Sequence, residues 1–465
     1  MATFSRFPTA DWAEKQPQAI AVRWKKGKSH WLNELPEQIS WQYWHQLVRQ
    51  GGEGLQQHAI CTGNLIAYVG SHRLLSLLCY CSALAIGAKI VLINPAMTES
   101  QRAALLNQLG IQRLLYEEDF ANYAMNSPPC RLSNLDFSEP ATLTLTSGSS
   151  GVAKAVVHSL HHHLANAQGV CELMAFHATQ SWLLSLPLFH VSGQGIVWRW
   201  LSCGATLVVN EEKTDFYTTL AEVSHASLVP TQLQRYLACD LPKPAHQHIL
   251  LGGAFISPAL VQQARAQQIT TYSGYGMTEM ASTVCAAKNQ IDMVGSPLVG
   301  REVRLEQGEI WVRGAGLGLG YWQQGNIVPL VNAQGWFPTK DKGEWHNGQL
   351  RILGRQDNQF ISGGENIQPE QIERVLLQSG LLKQAMVVPI ADPEFGQRPV
   401  AAVEFIGAWS EQAVRSLQQF VTIHLEKFKH PVHYVCFSTF SFNTGIKVAR
   451  HMLQKAVAEQ FQNSR

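Results

Sequence analysis

Residues 146 to 154 read Thr-Ser-Gly-Ser-Ser-Gly-Val-Ala-Lys, between an apolar run at 141–145 and a second that opens at Ala155. Thr146, Ser147, Ser149 and Ser150 supply hydroxyls, Gly148 and Gly151 let backbone N–H groups turn toward one point, and Lys154 adds a charge. That set suits an anion such as a phosphate. It is not the G-x-x-x-x-G-K-[ST] loop: counted from Gly148, both the glycine before Lys154 and the hydroxyl after it are missing. Taken alone, the stretch reads more readily as a polar turn with a solvated lysine, so other segments must decide.

Four of them carry chemistry. A polar, glycine-punctuated segment at 272–279, expected to be a turn after a strand at 269–271, ends in Thr278, a donor for a phosphate oxygen, and Glu279, an oxygen ligand for a hard cation. Asp341 sits among apolar residues in Phe-Pro-Thr-Lys-Asp, where a carboxylate can take both hydroxyls of a ribose. Arg355 and Asp357 follow in Gly-Arg-Gln-Asp. Near the end, Asn-Thr-Gly-Ile-Lys at 443–447 carries Lys447 toward a last helix.

The elements that must position these groups are readable from apolar periodicity. Strands at 65–69, 89–93 and 113–116, with helices at 74–86 and 99–109 between them, predict parallel α/β layers. The pattern continues in strands at 183–186, 206–209, 227–229 and 249–251. From 303 to 355 short alternating strands and Gly-rich turns predict a β-rich lobe. Beyond Phe360 an α+β segment follows, with helices at 369–379, 411–426 and from 448, and strands at 385–389 and 400–405. The expected fold class is α/β: a large N-terminal domain (1–356) of layered subdomains plus the lobe, and a small C-terminal domain (357–465) joined by a short hinge.

Composition narrows the partners. Lys and Arg total 36 against 34 for Asp and Glu, with no basic stripe, which argues against nucleic acid. No apolar run reaches membrane-spanning length, and no signal-like stretch opens the chain. Nine scattered cysteines without a C-x-x-C pair fit free thiols in a reducing compartment, so a cytoplasmic location is expected. The histidines at 158 and 161–163 have no adjoining cysteine or carboxylate, and they are expected to open a helix rather than to bind metal.

In order, these segments resemble the motifs of the adenylate-forming family, which comprises acyl-CoA synthetases, luciferases and peptide-synthetase adenylation domains. The resemblance covers nearly the whole chain: the loop at 146–154, Leu-Pro-Leu-Phe-His-Val-Ser-Gly at 186–193, Leu-Gly-Gly-Ala at 251–254, Tyr-Gly-Met-Thr-Glu at 275–279, Thr-x-Asp at 339–341 and the run from Gly354 to 373. Departures are Ala153 and Ala155 beside Lys154, Lys340 where the family has glycine, and Ile446 between Gly445 and Lys447.

The resemblance implies the two-domain fold with a mobile C-terminal domain, and the substrates ATP, with Mg2+, and coenzyme A. It assigns the loop 146–154 to the β- and γ-phosphates, Thr278 to the α-phosphate and Glu279 to magnesium. Asp341 and Arg355 fall to the ribose. Gly252, Gly253 and Ala254, with Ser273, Gly274, Tyr275 and Gly276, line the adenine. Lys447 bridges the attacking carboxylate and the phosphate, and His190 stands at the carboxylate's entrance. Asp357 is the hinge, and Ser362, Gly363 and Gly364 face the pantetheine arm of CoA.

Arg199 is a lone charge in the apolar segment 191–201, and burying it unpaired would cost several kcal/mol. It either snorkels to water near a helix end or meets an anion. Within the family, the short length, Trp198-Arg199-Trp200, the segment 392–399 and Gly-Ile-Lys resemble the branch acting on o-succinylbenzoate, an aromatic diacid activated at its succinyl carboxylate. That branch gives Arg199, helped by Ser192 and Ser227, the carboxylate that does not react. Another aryl- or acyl-CoA ligase, an adenylation enzyme loading a carrier protein, and a non-catalytic nucleotide binder remain alternatives, and a homo-oligomer stays open.

Overall fold

The computed structural model describes residues 4–25, 34–111, 113–132, 134–146, 154–440 and 449–463. The α/β layering is present. Strands Leu65–Val69, Lys89–Ile93 and Arg113–Tyr116 run parallel, linked through helices Arg73–Ala85 and Glu99–Leu109. The first of these helices is apolar on all sides and buried along nearly its whole length, as a helix between layers must be. The second is set by a capping box at Thr98 and Gln101 and ends at Gly110, whose φ of 66° is left-handed.

Pro140–Thr146 joins this sheet parallel to Lys89–Ile93, and the chain returns antiparallel as Lys154–Ser159, with Thr146 opposite Lys154. Lys154 is therefore the first residue of the returning strand. Two more strands, Gly320–Gln323 and Asn326–Val328, complete seven on that side. This corrects the expected lobe at 303–355. Its four-stranded antiparallel sheet comprises Arg301–Glu306, Glu309–Gly314, Phe337–His346 and Gln349–Arg355, while 320–328 departs to the other sheet. The reason is tertiary: the Trp322 indole donates to the Leu109 carbonyl at 2.8 Å, and its ring packs on the core around Val69 and Leu109.

A second, eight-stranded sheet has six parallel central strands: Ile20–Lys25, Ser181–Leu183, Thr206–Asn210, His225–Leu228, His248–Leu251 and Thr270–Met277. The strand expected at 183–186 thus ends at Leu183. The segment expected as a turn at 272–277 is strand. Its glycines admit close backbones: a Cβ on Gly276 would lie 2.3 Å from the Ser282 carbonyl oxygen, and one on Gly274 would lie 3.1 Å from that of Leu251. The turn comes at Thr278–Met280, and the chain returns antiparallel as Ser282–Lys288.

The histidine run opens a helix as expected. The Ser159 hydroxyl accepts the His162 amide and opens helix Leu160–Met174. His163 stacks on Trp198 at 5.0 Å and bonds the Thr142 hydroxyl at 2.7 Å. No metal-binding group of His, Cys, Asp and Glu occurs among the described residues, and no helix there is long and apolar enough to cross a membrane.

From Phe360 onward the chain has its own apolar cluster, with Phe360, Ile372, Leu376, Val387 and Leu417 at its centre. The strands expected at 385–389 and 400–405 lie within one long hairpin, Leu382–Asp392 with Gly396–Phe405. Helix Arg450–Asn463 starts at a buried ionic knot. One Arg450 nitrogen meets Glu373 at 2.5 Å and the Val387 carbonyl, and the other meets Glu370 at 3.3 Å.

Removing a buried cation leaves its carboxylates unpaired, whereas exposed pairs contribute little. Arg450→Met should cost about 3 kcal/mol in denaturant unfolding of this body, and Arg415→Met, at the exposed Glu411 pair, less than about 0.5 kcal/mol. A second outcome concerns acid. Burial lowers His158 to about 3, and His45, His162 and His225 to about 4, so these rings are neutral in the fold. Unfolded, they titrate near about 6.5, so the unfolded chain binds more protons as pH falls; stability should drop from about pH 6.5 to about pH 4, by up to about 1.4 kcal/mol per histidine per pH unit. Unfolding free energy against pH checks this, and a flat profile over that window would contradict it.

Candidate active site

Arg199 lies on helix Val191–Cys203 and is only 1% exposed, so it does not snorkel. Its guanidinium reaches three hydroxyls, Ser227 at 3.2 Å, Ser282 at 3.3 Å and Thr283 at 3.4 Å, and it lies 5.1 Å from the Trp182 ring centre. No carboxylate pairs with it among the described residues, and its Nε has no partner there. Burial lowers its pKa to about 10, which still leaves a cation at neutral pH. Ser192, Gly195 and Arg199 share one helical stripe by their spacing of three and four. Gly195 keeps that stripe open: a Cβ there would lie 3.0 Å from the Ser282 hydroxyl and 3.1 Å from the Arg199 guanidinium.

At the other end of the helix, His190 is the N-cap residue, with its ring beside Phe189 at 4.6 Å. Burial holds its imidazole below the usual value, so it is neutral at pH 7. Nine residues of helical rise separate it from Arg199, about 13 Å. Gln194 ties this helix to strand Pro140–Thr146, with Thr144 donating to its side-chain oxygen at 3.0 Å and its amide donating to the Leu188 carbonyl at 3.1 Å.

Thr278 and Glu279 form a tight turn secured from behind. Asn166 donates to the carbonyls of Met280 at 2.7 Å and Thr283 at 3.0 Å, and Gly318 donates to that of Glu279 at 2.8 Å. Two residues leave this turn with positive φ, Ala281 at 55° and Ser282 at 140°. For a serine the second value is strained, a cost of order 1–3 kcal/mol that functional sites often carry. It lies at the residue whose hydroxyl meets Arg199.

Glu279 and Lys154 are brought together through a residue the sequence reading missed. Tyr321 donates its phenol to Glu279 Oε1 at 2.8 Å, and the Lys154 ammonium lies 5.0 Å from the centre of its ring. Ser147, Gly148, Ser149, Ser150 and Gly151 fall outside the described residues, as does Lys447.

Asp341 is buried and doubly held, accepting from the Tyr275 phenol at 2.6 Å and from Arg355 at 3.1 Å. The preceding residue, Lys340, has φ of 61°, the left-handed conformation that suits the glycine of the family motif. Arg355 also grips Asp357 with two parallel bonds, 2.9 and 3.1 Å, the geometry a guanidinium fork favours. Gly252, Gly253 and Ala254 follow strand His248–Leu251, and Gly253 has φ of 82°. The Ser273 hydroxyl is engaged with the Gln290 carbonyl at 3.2 Å, so this residue offers a ligand its backbone rather than its hydroxyl.

Ser362, Gly363 and Gly364 form the tip of the ribbon Phe360–Ser362 and Glu365–Ile367, with φ of 58° and 89° at the two glycines. The Gly363 amide donates to the Phe395 carbonyl at 2.9 Å, and a Cβ there would strike the Phe395 ring at 2.8 Å. The expected residues therefore form four groups: Arg199 with Ser227, Lys154 with Glu279, Asp341 with Tyr275, Arg355 and Asp357, and the glycine tip against Phe395. Ser282, Thr283, Trp182 and Tyr321 are additions. The hydroxyl pair after the Thr-Glu motif was the one signal for them that could have been followed.

A profile of the AMP-binding enzyme family matches residues 9–322. The 2-succinylbenzoate–CoA ligase of Haemophilus influenzae is 47% identical over 429 residues, covering 91% of this chain and 94% of its own. That of Salmonella typhimurium is 40% identical over 477 residues, covering 99% of this chain and 100% of its own. Among solved structures, a single-substitution variant of Escherichia coli MenE with bound OSB-AMS superposes with a TM-score of 0.86 at 36% identity, covering 99% of this chain and 100% of that one. A match over two thirds of the length by the family profile, and relatives this similar end to end, give one conclusion: the chain belongs to the AMP-binding enzyme family.

Proposed function

We propose that the chain is an ATP-dependent o-succinylbenzoate–CoA ligase acting through an acyl-adenylate in menaquinone biosynthesis. The observation that carries this reading is Arg199, a cation sealed from water among hydroxyls and an indole face, about 13 Å along one helix from His190. Such a charge is poorly compensated by the protein alone, and a substrate carboxylate completes it. Relatives named 2-succinylbenzoate–CoA ligase and a structural neighbour holding OSB-AMS support the same acid.

In the first half-reaction, a succinyl carboxylate oxygen attacks the α-phosphorus of ATP, and the bond to pyrophosphate breaks. The obstacle is repulsion between two anions that must be held in line. We assign Lys154 and the loop 146–151 to the departing phosphates, Thr278 to the α-phosphate, and Lys447 to the bridge between acid and phosphate. Glu279 offers the hard oxygen that Mg2+ prefers, and the ion supplies further opposing charge when bound. Asp341 and Arg355 take the ribose, with residues 252–254 and 273–276 beside the adenine.

In the second half-reaction, the CoA thiolate attacks the acyl carbon and AMP leaves. We assign residues 1–356 and 357–465 to two domains that turn about Asp357, bringing Ser362, Gly363 and Gly364 to the pantetheine arm. The separate apolar cluster beyond Phe360 and the Arg355 fork on Asp357 support that division. We place the enzyme in the cytoplasm, in keeping with nine free cysteines.

Acid-dependent ATP–pyrophosphate exchange should be strong with o-succinylbenzoate and weak with benzoate and simple fatty acids. Arg199→Ala should raise KM for the diacid about 100-fold while moving that for ATP less than about 3-fold; unchanged diacid kinetics would remove Arg199 from the site. Equal exchange with benzoate would point to another aryl-CoA ligase, and thioester formation only on a carrier protein to an adenylation enzyme. Lys447→Ala should slow adenylate formation at least about 100-fold and spare thioester formation from supplied acyl-adenylate. Survival of both half-reactions would show Lys447 to be misassigned.

A further inference from the structure

Tyr321 stands on strand Gly320–Gln323, opposite Val156 in the strand that Lys154 opens. Because side chains alternate along a strand, Lys154 and Val156 share a face, and Tyr321 is the diagonal neighbour of the lysine. Its backbone is fixed from both sides. Trp322 anchors to Leu109 at 2.8 Å, and Leu319 donates to the Val157 carbonyl at 2.9 Å. The ring thus lies under one charge while its hydroxyl meets the opposite one: the Lys154 ammonium at 5.0 Å from the ring centre, and Glu279 Oε1 at 2.8 Å.

We infer that Tyr321 is a positioning residue that holds the phosphate-loop lysine and the metal carboxylate apart and aimed at one triphosphate, an inference that rests on the ATP- and magnesium-dependent reading above. Two opposite charges this near one another would otherwise tend to pair, and a Lys154–Glu279 ion pair would cancel the charge each must offer the ligand. Among the described residues no such pair forms. The ring face attracts the ammonium through its quadrupole without neutralising it. The phenol occupies one oxygen of Glu279, and Oε2 carries no hydrogen bond among the described residues, which leaves it for a cation.

The two halves of the role separate chemically. Phenylalanine keeps the ring beneath Lys154 and removes the donor to Glu279; leucine removes both. Binding of ATP to the wild type, Tyr321→Phe and Tyr321→Leu is measured by calorimetry with Mg2+ and again with EDTA. Tyr321→Phe should weaken Mg2+-dependent ATP binding about 5- to 10-fold, the loss of one hydrogen bond to a charged group, and leave binding in EDTA unchanged. Tyr321→Leu should weaken both. In exchange assays, Tyr321→Phe should raise the Mg2+ needed for half-maximal rate by a similar factor, and saturating Mg2+ should restore the rate. Tyr321→Phe that binds Mg2+-ATP as the wild type does, or that loses binding equally with and without Mg2+, would overturn the inference. Because the calorimetry needs no acid, failure of o-succinylbenzoate as substrate would strike the proposed function and leave this result standing.

Discussion

A guanidinium closed off from water with only neutral partners is the interaction around which this protein is arranged. Arg199 is held by Ser227, Ser282 and Thr283 and by the face of Trp182, groups drawn from three strands of the eight-stranded sheet. Hydroxyls solvate a cation but do not neutralise it, so the guanidinium keeps its positive charge. Achieving this constrains much else. Glycine is needed at position 195, where a side chain would press on the guanidinium, and the chain must leave the Thr278–Met280 turn through Ala281 and Ser282 in positive φ. The strain is thus spent where the hydroxyl must point.

The nucleotide side follows a related rule. Glu279 and Asp341 each accept from a tyrosine, Tyr321 at 2.8 Å and Tyr275 at 2.6 Å. A phenol orients a carboxylate without cancelling its charge, which a lysine would do. Burial, followed by the neighbouring carboxylate, pushes both phenols above their usual range, which keeps them as donors. Only Asp341 has in addition a cation, Arg355, and that arginine is shared with Asp357. Asp341, assigned to the ribose, and Asp357, assigned to the hinge, are therefore linked by one side chain.

How much of this can be read in the sequence depends on whether a residue acts within its own segment. The parallel layers over 65–116, the late helices and the order of the motifs follow from local periodicity and spacing. So does the helix start at Ser159, where a hydroxyl and an amide three residues on suffice. Tyr321, Ser282 and Thr283 act through register between strands far apart in the chain, and beyond the hydroxyl pair that follows Thr-Glu their own neighbourhoods do not announce it. Gly274 and Gly276 mislead for the same reason, since they resemble turn glycines and instead make room for the carbonyls of Leu251 and Ser282. Arg199 lies between these cases: its burial was an open question that only packing answers.

The short hairpin Gly320–Gln323 and Asn326–Val328 bears on how the molecule can be divided. It belongs by sequence to the lobe and by hydrogen bonding to the sheet that carries the phosphate loop. The chain leaves that sheet at Ser159, builds six of the eight strands of the other sheet and part of the lobe, and comes back to finish it, so neither sheet is a contiguous module. A fragment ending before Gly320 would expose the edge of Lys154–Ser159, an unpaired row of backbone donors and acceptors beside the site. Among the described residues, the sheets before Arg355 share no strand with those after it, so recombination or splitting of this fold is better placed after Arg355 than within residues 1–355.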